Sequence, residues 1–280
     1  MRWNIVAGAV AAALTAVIVH PAAKAATMED RNICIGDQLS DTAGLLGACT
    51  AYIEAPPTHP EDLYAALIRR SIAWDLKGDN DLAMKDLDEA VRIKPANLAA
   101  YVNRGNHWAY RGEYDKALAD LDAALRINPY VSFALVSRGR VWKRKGDDVR
   151  ALADFDRAIH VETRFPPALI EAGLMRAILN RELDRALDEC NRAVTLAKDD
   201  SAQAYGARAF VHFRQGDNAA AIADADKAVS LNGKLADPLF IRGQAKARAG
   251  QPADGQADLK SAEALDSRIA ERFAAWGVKP

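Results

Sequence analysis

The sequence is poor in the features that mark several large classes of protein. Three Cys among 280 residues are too few for a scaffold held together by many disulfides. Aromatic residues make up only 7%, and a formal net charge of −1 gives no basic excess for binding nucleic acid. The apolar share of 50% and the charged share of 27% exclude wholesale disorder. Much of the apolar share is Ala, which favours closely packed helices.

An apolar run without a charge lies at the N-terminus, from Ile5 to Val19. It follows Arg2, and Ala23-Lys24-Ala25 supplies small residues after it. This layout predicts a secretory signal peptide at 1–25, cleaved near Ala25. The run is shorter than the roughly 20 residues that span a membrane. We therefore expect a bacterial protein that is periplasmic or secreted and has no stable membrane span after cleavage. The alternative is an uncleaved signal that anchors the chain in the inner membrane.

A period of about 34 residues runs through the rest of the chain, and several columns of different residue types that keep one period indicate an internal repeat. The step from Arg138 to Arg208 is longer than two such periods, so one middle repeat carries two extra residues. The columns are Trp74, Trp108 and Trp142; Arg70, Arg104 and Arg138; Gly78, Gly112 and Gly146; Ala83, Ala117 and Ala151; and Ala90, Ala124 and Ala158.

Each repeat has the pattern of two helices, as the second repeat illustrates. Apolar or small residues recur every three to four positions over 98–111, which predicts a first helix. We expect Gly112 to end this helix in the left-handed conformation. A second helix follows and stops before Pro129, which cannot continue the backbone ladder. Gly105 and Ala117 are expected where the two helices cross, because small residues let their backbones approach.

The repeated positions carry a resemblance to a known family. In the second repeat they are Tyr101, Gly105, Trp108, Ala117, Leu121, Ala124 and Pro129. On these residues the sequence resembles the tetratricopeptide repeat (TPR) family over Tyr64 to about Ile269. The resemblance implies an all-α fold, a right-handed α-solenoid of stacked helix-turn-helix hairpins. The expected organisation is a degenerate N-terminal hairpin or cap at 26–63, six TPR units at 64–97, 98–131, 132–165, 166–201, 202–235 and 236–269, and a C-terminal capping segment at 270–280.

Two columns of opposite charge follow the same period. Each Arg of the first column is followed, always at the same separation, by an Asp in the same repeat. We expect these residues to neutralise one another within or between repeats, although a basic ladder for an acidic ligand is the alternative. The columns are Arg70, Arg104, Arg138, Arg208 and Arg242, and Asp86, Asp120, Asp154, Asp224 and Asp258.

The three Cys divide into a pair and a single residue. Cys34 and Cys49 are near each other in the sequence, one in each helix of the degenerate hairpin. In an oxidising compartment such a pair is expected to form a disulfide. Two buried thiols are the alternative. Cys190 lies on a second helix, one residue from an inner position, and is predicted to be a buried and inert thiol.

The sequence shows no arrangement of residues that would support catalysis. Its five His are scattered, without partners at metal-ligand spacing, and no phosphate-binding glycine loop or nucleophile motif is present. We therefore expect no metal, no cofactor and no enzymatic activity, and a non-catalytic scaffold that binds a protein or peptide. A structural or accessory subunit of a cell-envelope or secretion assembly is the alternative. An enzyme or an enzyme regulator is a third and less favoured one.

The family resemblance places the partner on the concave face, which the first helices line. We expect the residues on this face not to follow the repeat pattern, so the fold itself would not require them. Many of them are Arg or aromatic residues, the types that dominate binding energy at interfaces. They suggest a protein or peptide with acidic or C-terminal carboxylate groups, and no nucleic acid. Ordinary exposed side chains are the alternative. These residues are Asn103, Asn106, Tyr110, Arg140, Lys143, Arg144, Phe210, Phe213, Arg214, Phe240, Gln244 and Arg248.

Overall fold

The computed structural model describes residues 26–36, 41–55 and 59–278, and the predicted signal peptide at 1–25 lies outside them. This part of the chain contains fifteen α-helices and no strand, so the predicted all-α fold is confirmed. None of the helices in these ranges is both long enough and apolar enough to cross a membrane. The chain divides into two compact units, an N-terminal unit up to Asp86 and a C-terminal unit from Leu87.

The N-terminal unit begins with the degenerate hairpin that the sequence predicts. Its two helices pack together, and the predicted disulfide between Cys34 and Cys49 joins them. Closing a loop of this length stabilises a fold by about 3 kcal/mol in the chain-entropy model. The helices are α1 (Met28–Cys34), α2 (Thr42–Glu54), α3 (Pro60–Lys77) and the first part of α4 (Asn80–Ile93).

The C-terminal unit is a row of helix hairpins. Consecutive helices pack in pairs as in TPR solenoids, and the pairs from α5–α6 to α13–α14 are named repeats 2 to 6. After the end of α4, the helices are α5 (Leu98–Tyr110), α6 (Tyr114–Ile127), α7 (Ser132–Arg144), α8 (Asp148–Val161), α9 (Pro166–Leu179), α10 (Leu183–Leu196), α11 (Ala202–Gln215), α12 (Asn218–Leu231), α13 (Ala236–Arg248), α14 (Pro252–Leu265) and α15 (Ile269–Ala275).

The turn inside each hairpin from α3–α4 to α13–α14 contains a left-handed backbone residue. Gly112 takes this conformation after α5, with φ of 79°, and the Glu113 amide then donates to the Trp108 carbonyl oxygen. Repeat 4 has no Gly at this point. Asn180 adopts the left-handed conformation there instead, with φ of 50°, because Asn tolerates it better than most residues.

The two helices of a hairpin cross where at least one small residue is present. A Cβ on Gly105 would lie 3.2 Å from the Ala117 carbonyl oxygen. Among the glycines at these crossings, the backbones approach most closely in repeat 6. A Cβ on Gly243 would lie 2.8 Å from the carbonyl oxygen of Gly255, and a Cβ on Gly255 would lie 2.6 Å from the carbonyl oxygen of Gly243. Gly255 replaces the usual Ala because these two backbones leave no room for a methyl group.

The two extra residues of the middle repeat fall at two places in repeat 4. In repeat 3 the two helices start at Ser132 and Asp148, and in repeat 4 they start at Pro166 and Leu183. The second helix of repeat 4 therefore starts one residue later, relative to the first helix. The second extra residue lengthens the loop between α10 and α11. Because of this shift, Cys190 occupies the same inner position in α10 that Phe155 occupies in α8. The sequence analysis had placed Cys190 one residue away from an inner position. Cys190 is buried against Gly173, and its burial raises the pKa of the thiol.

The predicted pairing of the Arg and Asp columns is confirmed. In repeat 2, Arg104 donates from Nε and Nη2 to the two carboxylate oxygens of Asp120, each at 2.8 Å. Its Nη1 donates at 2.8 Å to Asp88 of the preceding second helix. Each such Arg therefore acts as a clamp that joins its own hairpin to the one before. The same clamp is made by Arg70 with Asp86 and Thr50, by Arg138 with Asp154 and Asp122, by Arg208 with Asp224 and Asn191, and by Arg242 with Asp258 and Asp226.

Repeat 4 builds its clamp one helical turn further along the first helix. Ala172 occupies the place of the repeated Arg. Arg176, which is fully buried, has the role of that Arg instead. Arg176 donates to Glu189 at 3.0 Å and to Asp156 of the preceding second helix at 2.7 Å. Because α10 is shifted by one residue, Glu189 is the counterpart of Asp154.

The clamp predicts strong coupling between its two partners in the folded state. The single changes Arg104→Ala and Asp120→Ala should each destabilise the chain, and the double change should cost less than their sum by about 1–3 kcal/mol, because either single change already removes the pair. Urea unfolding followed by circular dichroism measures the three losses. The exposed pair Lys116 and Glu113 is the matched control and should show far weaker coupling. Strictly additive losses at Arg104 and Asp120 would contradict the clamp.

The crossing of α13 and α14 predicts the effect of a single methyl group. Gly255→Ala should destabilise the chain by about 1–3 kcal/mol, because the backbones must separate, although Ala is the better helix former by about 1 kcal/mol. Gly47 in α2 has no atom within 4 Å of the place where a Cβ would lie, so Gly47→Ala should stabilise instead. Thermal unfolding compares the two variants. A stabilising Gly255→Ala would show that the helices are not in contact there.

Candidate partner-binding face

The first helices of the C-terminal unit form one continuous face. Each of α5, α7, α9 and α11 packs against the first helix of the next repeat, whereas the second helices in the described part of this unit do not pack against one another. A row of hairpins that is tighter on the side of the first helices curves towards that side. We call the surface of these first helices, at the positions of Asn103, Asn106 and Tyr110 and their repeats, the inner face.

The inner face is accessible in repeats 2 and 3. Asn106 is exposed, Asn103 is half-buried, and the ring of Tyr110 is 74% exposed. Arg140 and Arg144 on α7 are also exposed. These five residues, all expected from the sequence, therefore form a polar and basic surface on two neighbouring helices.

A carboxylate that sequence analysis missed lies beside the predicted cations. Glu171 on α9 accepts from Arg140 Nε and from Lys143 Nζ, both at 2.7 Å. Glu171 is only 9% exposed. Burial alone would raise the pKa of its carboxyl, but the charges of Lys143 and Arg140 hold that pKa below the usual range. Glu171 repeats the position of Asn103, so a comparison of the repeat columns would have placed it on the inner face.

Three predicted Arg residues follow the repeat pattern, contrary to expectation. The step from Arg144 to Arg214 equals the step from Arg138 to Arg208, and Arg248 follows one period later, so the three share one position at the end of a first helix. Each donates to a carbonyl oxygen at the C-terminus of the preceding first helix: Arg144 to Ala109 at 3.2 Å, Arg214 to Ala177 at 2.8 Å and Arg248 to Phe213 at 3.5 Å. Each of those carbonyl oxygens also accepts a backbone N–H from the turn that follows, and together they carry the negative end of the helix dipole. The three Arg therefore also serve the packing of successive first helices.

Four predicted residues of repeats 5 and 6 are not accessible. Phe210, Phe213, Phe240 and Gln244 are all at most 5% exposed. The sequence analysis expected an open inner face along the whole array, and the burial of these four residues does not fit that expectation of exposure. The C-terminal helix α15 lies against this part, and Phe273 on α15 packs on Phe210 and Phe240, with ring centroids 5.4 Å and 4.5 Å away.

An apolar cavity lies on the inner face between these two regions. It has a volume of about 280 Å³ and is bounded by α9, α11, α13 and α15. Small residues such as Gly206 and Ala207 make room for it, and Phe273 closes one side. Glu171 and Asp237 lie at its border. A cavity of this size accommodates a large apolar side chain.

The His residues near this face have structural surroundings. The described residues contain no group of three His, Cys, Asp or Glu residues that could hold a metal ion. His212 lies beside the Arg208 clamp, with Nε2 3.7 Å from Asp224 Oδ2, and His107 is buried in α5. Both His therefore belong to the packing between helices.

Comparison with known proteins supports the TPR family. Residues 98–130 and 202–235 each match a family model described as tetratricopeptide repeat. A search of curated proteins finds no match. Proteins of the TPR family generally act as scaffolds that bind other proteins on extended concave surfaces.

Similar solved structures share this fold at low sequence identity. A tetratricopeptide repeat protein from Parabacteroides merdae is 23% identical, with a TM-score of 0.62, and the match covers 85% of this chain and 93% of that one. The pilF protein of Pseudomonas aeruginosa is 14% identical, with a TM-score of 0.63 and coverage of 77% and 98%. A thermophilic TPR protein of Thermus thermophilus is 20% identical, with a TM-score of 0.52 and coverage of 66% and 98%. At these identities the likeness shows the fold alone.

The position of Glu171 predicts a loss of stability when its charge is removed. Glu171→Gln should destabilise the chain by about 1–3 kcal/mol at neutral pH, because it breaks two charge-assisted hydrogen bonds at a buried site. The folded-state pKa of Glu171 is lowered, so this stabilisation is complete above the ordinary carboxyl value of 4.5 and is lost as the pH falls from there through the lower folded-state pKa. Urea unfolding at pH 7 and at about pH 2, well below the ordinary carboxyl range, measures the difference. Glu162→Gln, at an exposed position, is the control. A difference that persists at the lower pH would contradict the ion pairs.

Proposed function

We propose that this chain is a non-catalytic TPR scaffold that binds a protein or peptide along the inner face of α5, α7 and α9. The observation that carries the proposal is the exposed surface of Asn106, Tyr110, Arg140 and Arg144, on rigid helices beside an apolar cavity. Interfaces draw most of their binding energy from aromatic and Arg side chains near a pocket, and this surface offers both. The helices hold these side chains in place before binding, which lowers the entropic cost of association.

The charge of this surface favours a partner with a carboxylate. Arg140, Lys143 and Arg144 carry three positive charges, and Glu171 neutralises only one of them. Arg140 is still 51% exposed in spite of its bond to Glu171. An acidic side chain or a C-terminal carboxylate can therefore bind to the remaining guanidinium donors, for which such groups are the best acceptors. An apolar side chain of the same peptide would enter the cavity beside α9.

We also propose that the chain works outside the cytoplasm, in the periplasm or as a secreted protein. The layout of residues 1–25 is the first support. The second is the disulfide between Cys34 and Cys49, because such bonds form and persist in oxidising compartments and are rare in the cytoplasm.

Charge reversal on the inner face tests the proposal. Combining Arg140→Glu with Arg144→Glu should weaken binding of peptides with a free C-terminal carboxylate by about a hundredfold, since each lost charge-assisted contact is worth about 1.5–3 kcal/mol. Fluorescence polarisation with a peptide library, each sequence as free acid and as amide, gives the dissociation constants. The matched control combines Arg126→Glu with Lys227→Glu, which are exposed on the second helices α6 and α12.

Three results would contradict parts of this proposal. Equal binding of the acid and amide forms would remove the carboxylate preference. Unchanged binding by the inner-face variant would place the binding site elsewhere. Recovery of the native protein in a stoichiometric envelope complex, unaffected by this variant, would favour an architectural role in an assembly.

A further inference from the structure

The C-terminal segment, defined as Asp266–Val278, crosses from repeat 6 back to repeat 5. A helix that only capped the end of the array would contact repeat 6 alone. Instead, Phe273 and Trp276 both pack on Phe210 of α11, with ring centroids 5.4 Å and 6.0 Å away, and Phe273 also packs on Phe240 of α13. Ile269, Phe273 and Val278 are at most 1% exposed. The segment therefore binds to the inner face of two repeats.

Polar contacts fix the segment at the middle of α15 and just beyond its C-terminal end. At its middle, Arg272 donates to both carboxylate oxygens of Asp237 on α13, at 2.9 Å and 2.7 Å. Beyond its end, the Trp276 carbonyl oxygen accepts a hydrogen bond from Arg214 of α11. These contacts, with two aromatic side chains one helical turn apart, are those of an amphipathic helix bound in a groove.

The surface beneath the segment differs from the open inner face at matching positions. Phe210 repeats the position of Asn106 and Arg140, which are exposed polar residues in repeats 2 and 3. Phe210 itself is fully buried, and without the segment this large aromatic side chain would face solvent. Phe210 in repeat 5, with Phe240 in repeat 6, thus gives an inner face suited to an apolar helix, whereas repeats 2 and 3 suit a polar partner.

The contacts also allow the segment to leave without stranding a buried charge. Arg272 Nη2 donates at 2.8 Å to Asp266 of the same segment, so Arg272 keeps an ionic partner after release. Asp237 is 40% exposed and can be hydrated. The helix α15 has only seven residues, and a helix of this length is not stable in water by itself, so its order depends on docking.

We propose that the C-terminal segment is an intramolecular ligand of the inner face of α11 and α13, and that a partner helix of the same chemistry displaces it. The partner is an amphipathic helix with an Arg, an aromatic residue directly after it and a second aromatic residue three positions later, as in Arg272, Phe273 and Trp276. This inference goes beyond the proposed function, which concerns the carboxylate-binding surface of α5, α7 and α9. The segment keeps the apolar part of the inner face covered until such a partner binds.

A peptide with the sequence of residues 266–280 tests the proposal in trans. The full chain carrying Phe273→Ala with Trp276→Ala should bind this labelled peptide at least about tenfold more tightly than the unmodified chain, because the internal competitor is weakened. The matched control is Glu271→Ala, at an exposed position of the same helix, which should bind like the unmodified chain. A peptide that carries the same two Ala changes should not bind. Absence of binding to a folded double variant would overturn the proposal.

Hydrogen exchange on the unmodified chain provides a second and independent measurement. The amides of α15 should exchange before those of α11 and α13, because the segment opens as a separate unit. Exchange of all three helices in a single cooperative event would show an integral cap and would overturn the proposal, even if the double variant does not fold. The Arg140→Glu and Arg144→Glu changes should affect neither measurement, so failure of the carboxylate site and failure of this proposal are distinguishable.

Discussion

The stacking of the repeats depends on one interaction, the clamp in which an Arg of a first helix binds two polar partners at once. Arg104 fixes the crossing within its own hairpin through Asp120 and fixes the preceding hairpin through Asp88. The planar guanidinium suits this role, because it offers five donors in a rigid geometry. The clamps are mostly buried beside helix crossings that small residues keep tight. Ionic and steric constraints together therefore set the spacing of the first helices, and with it the geometry of the inner face.

Sequence reasoning predicted the parts of the structure that depend on local period. The columns of Arg, Asp, Gly and Ala each have a cause within one hairpin, so their spacing indicated the helices, the turns and the clamp. It failed where contacts join distant parts of the chain. The burial of Phe210 and Phe240 depends on where residues 266–278 fold, which no repeat pattern encodes. The shared position of Arg144, Arg214 and Arg248 was missed because the two extra residues of repeat 4 make the separation of Arg144 and Arg214 longer than two periods. The Arg residues of the clamps show the same longer separation, so the shared position could have been found from the sequence.

The inner face is divided by the chemistry of equivalent positions. At one position the residues are Asn106, Arg140 and Phe210 in repeats 2, 3 and 5, so the same backbone geometry presents an amide, a cation and an aromatic ring in turn. Because the clamps keep the backbone constant, different repeats can carry different residue types at this position. A cavity of about 280 Å³ lies where the polar and apolar regions meet. The face thereby offers two kinds of partner chemistry within a single array.

The displaced clamp of repeat 4 has a consequence for how such an array can grow or shrink. Repeats 2 and 3 present the same Arg and Asp partners to their neighbours, so duplication or loss of either would leave the flanking clamps intact. Repeat 4 needs Asp156 before it to satisfy Arg176, and it offers Asn191 after it to Arg208. Repeat 4 is therefore a joint with unlike ends: it accepts the ordinary Asp from the repeat before it and offers an Asn to the repeat after it. A repeat gained or lost before repeat 4 would leave the distance from repeat 4 to the C-terminal segment unchanged.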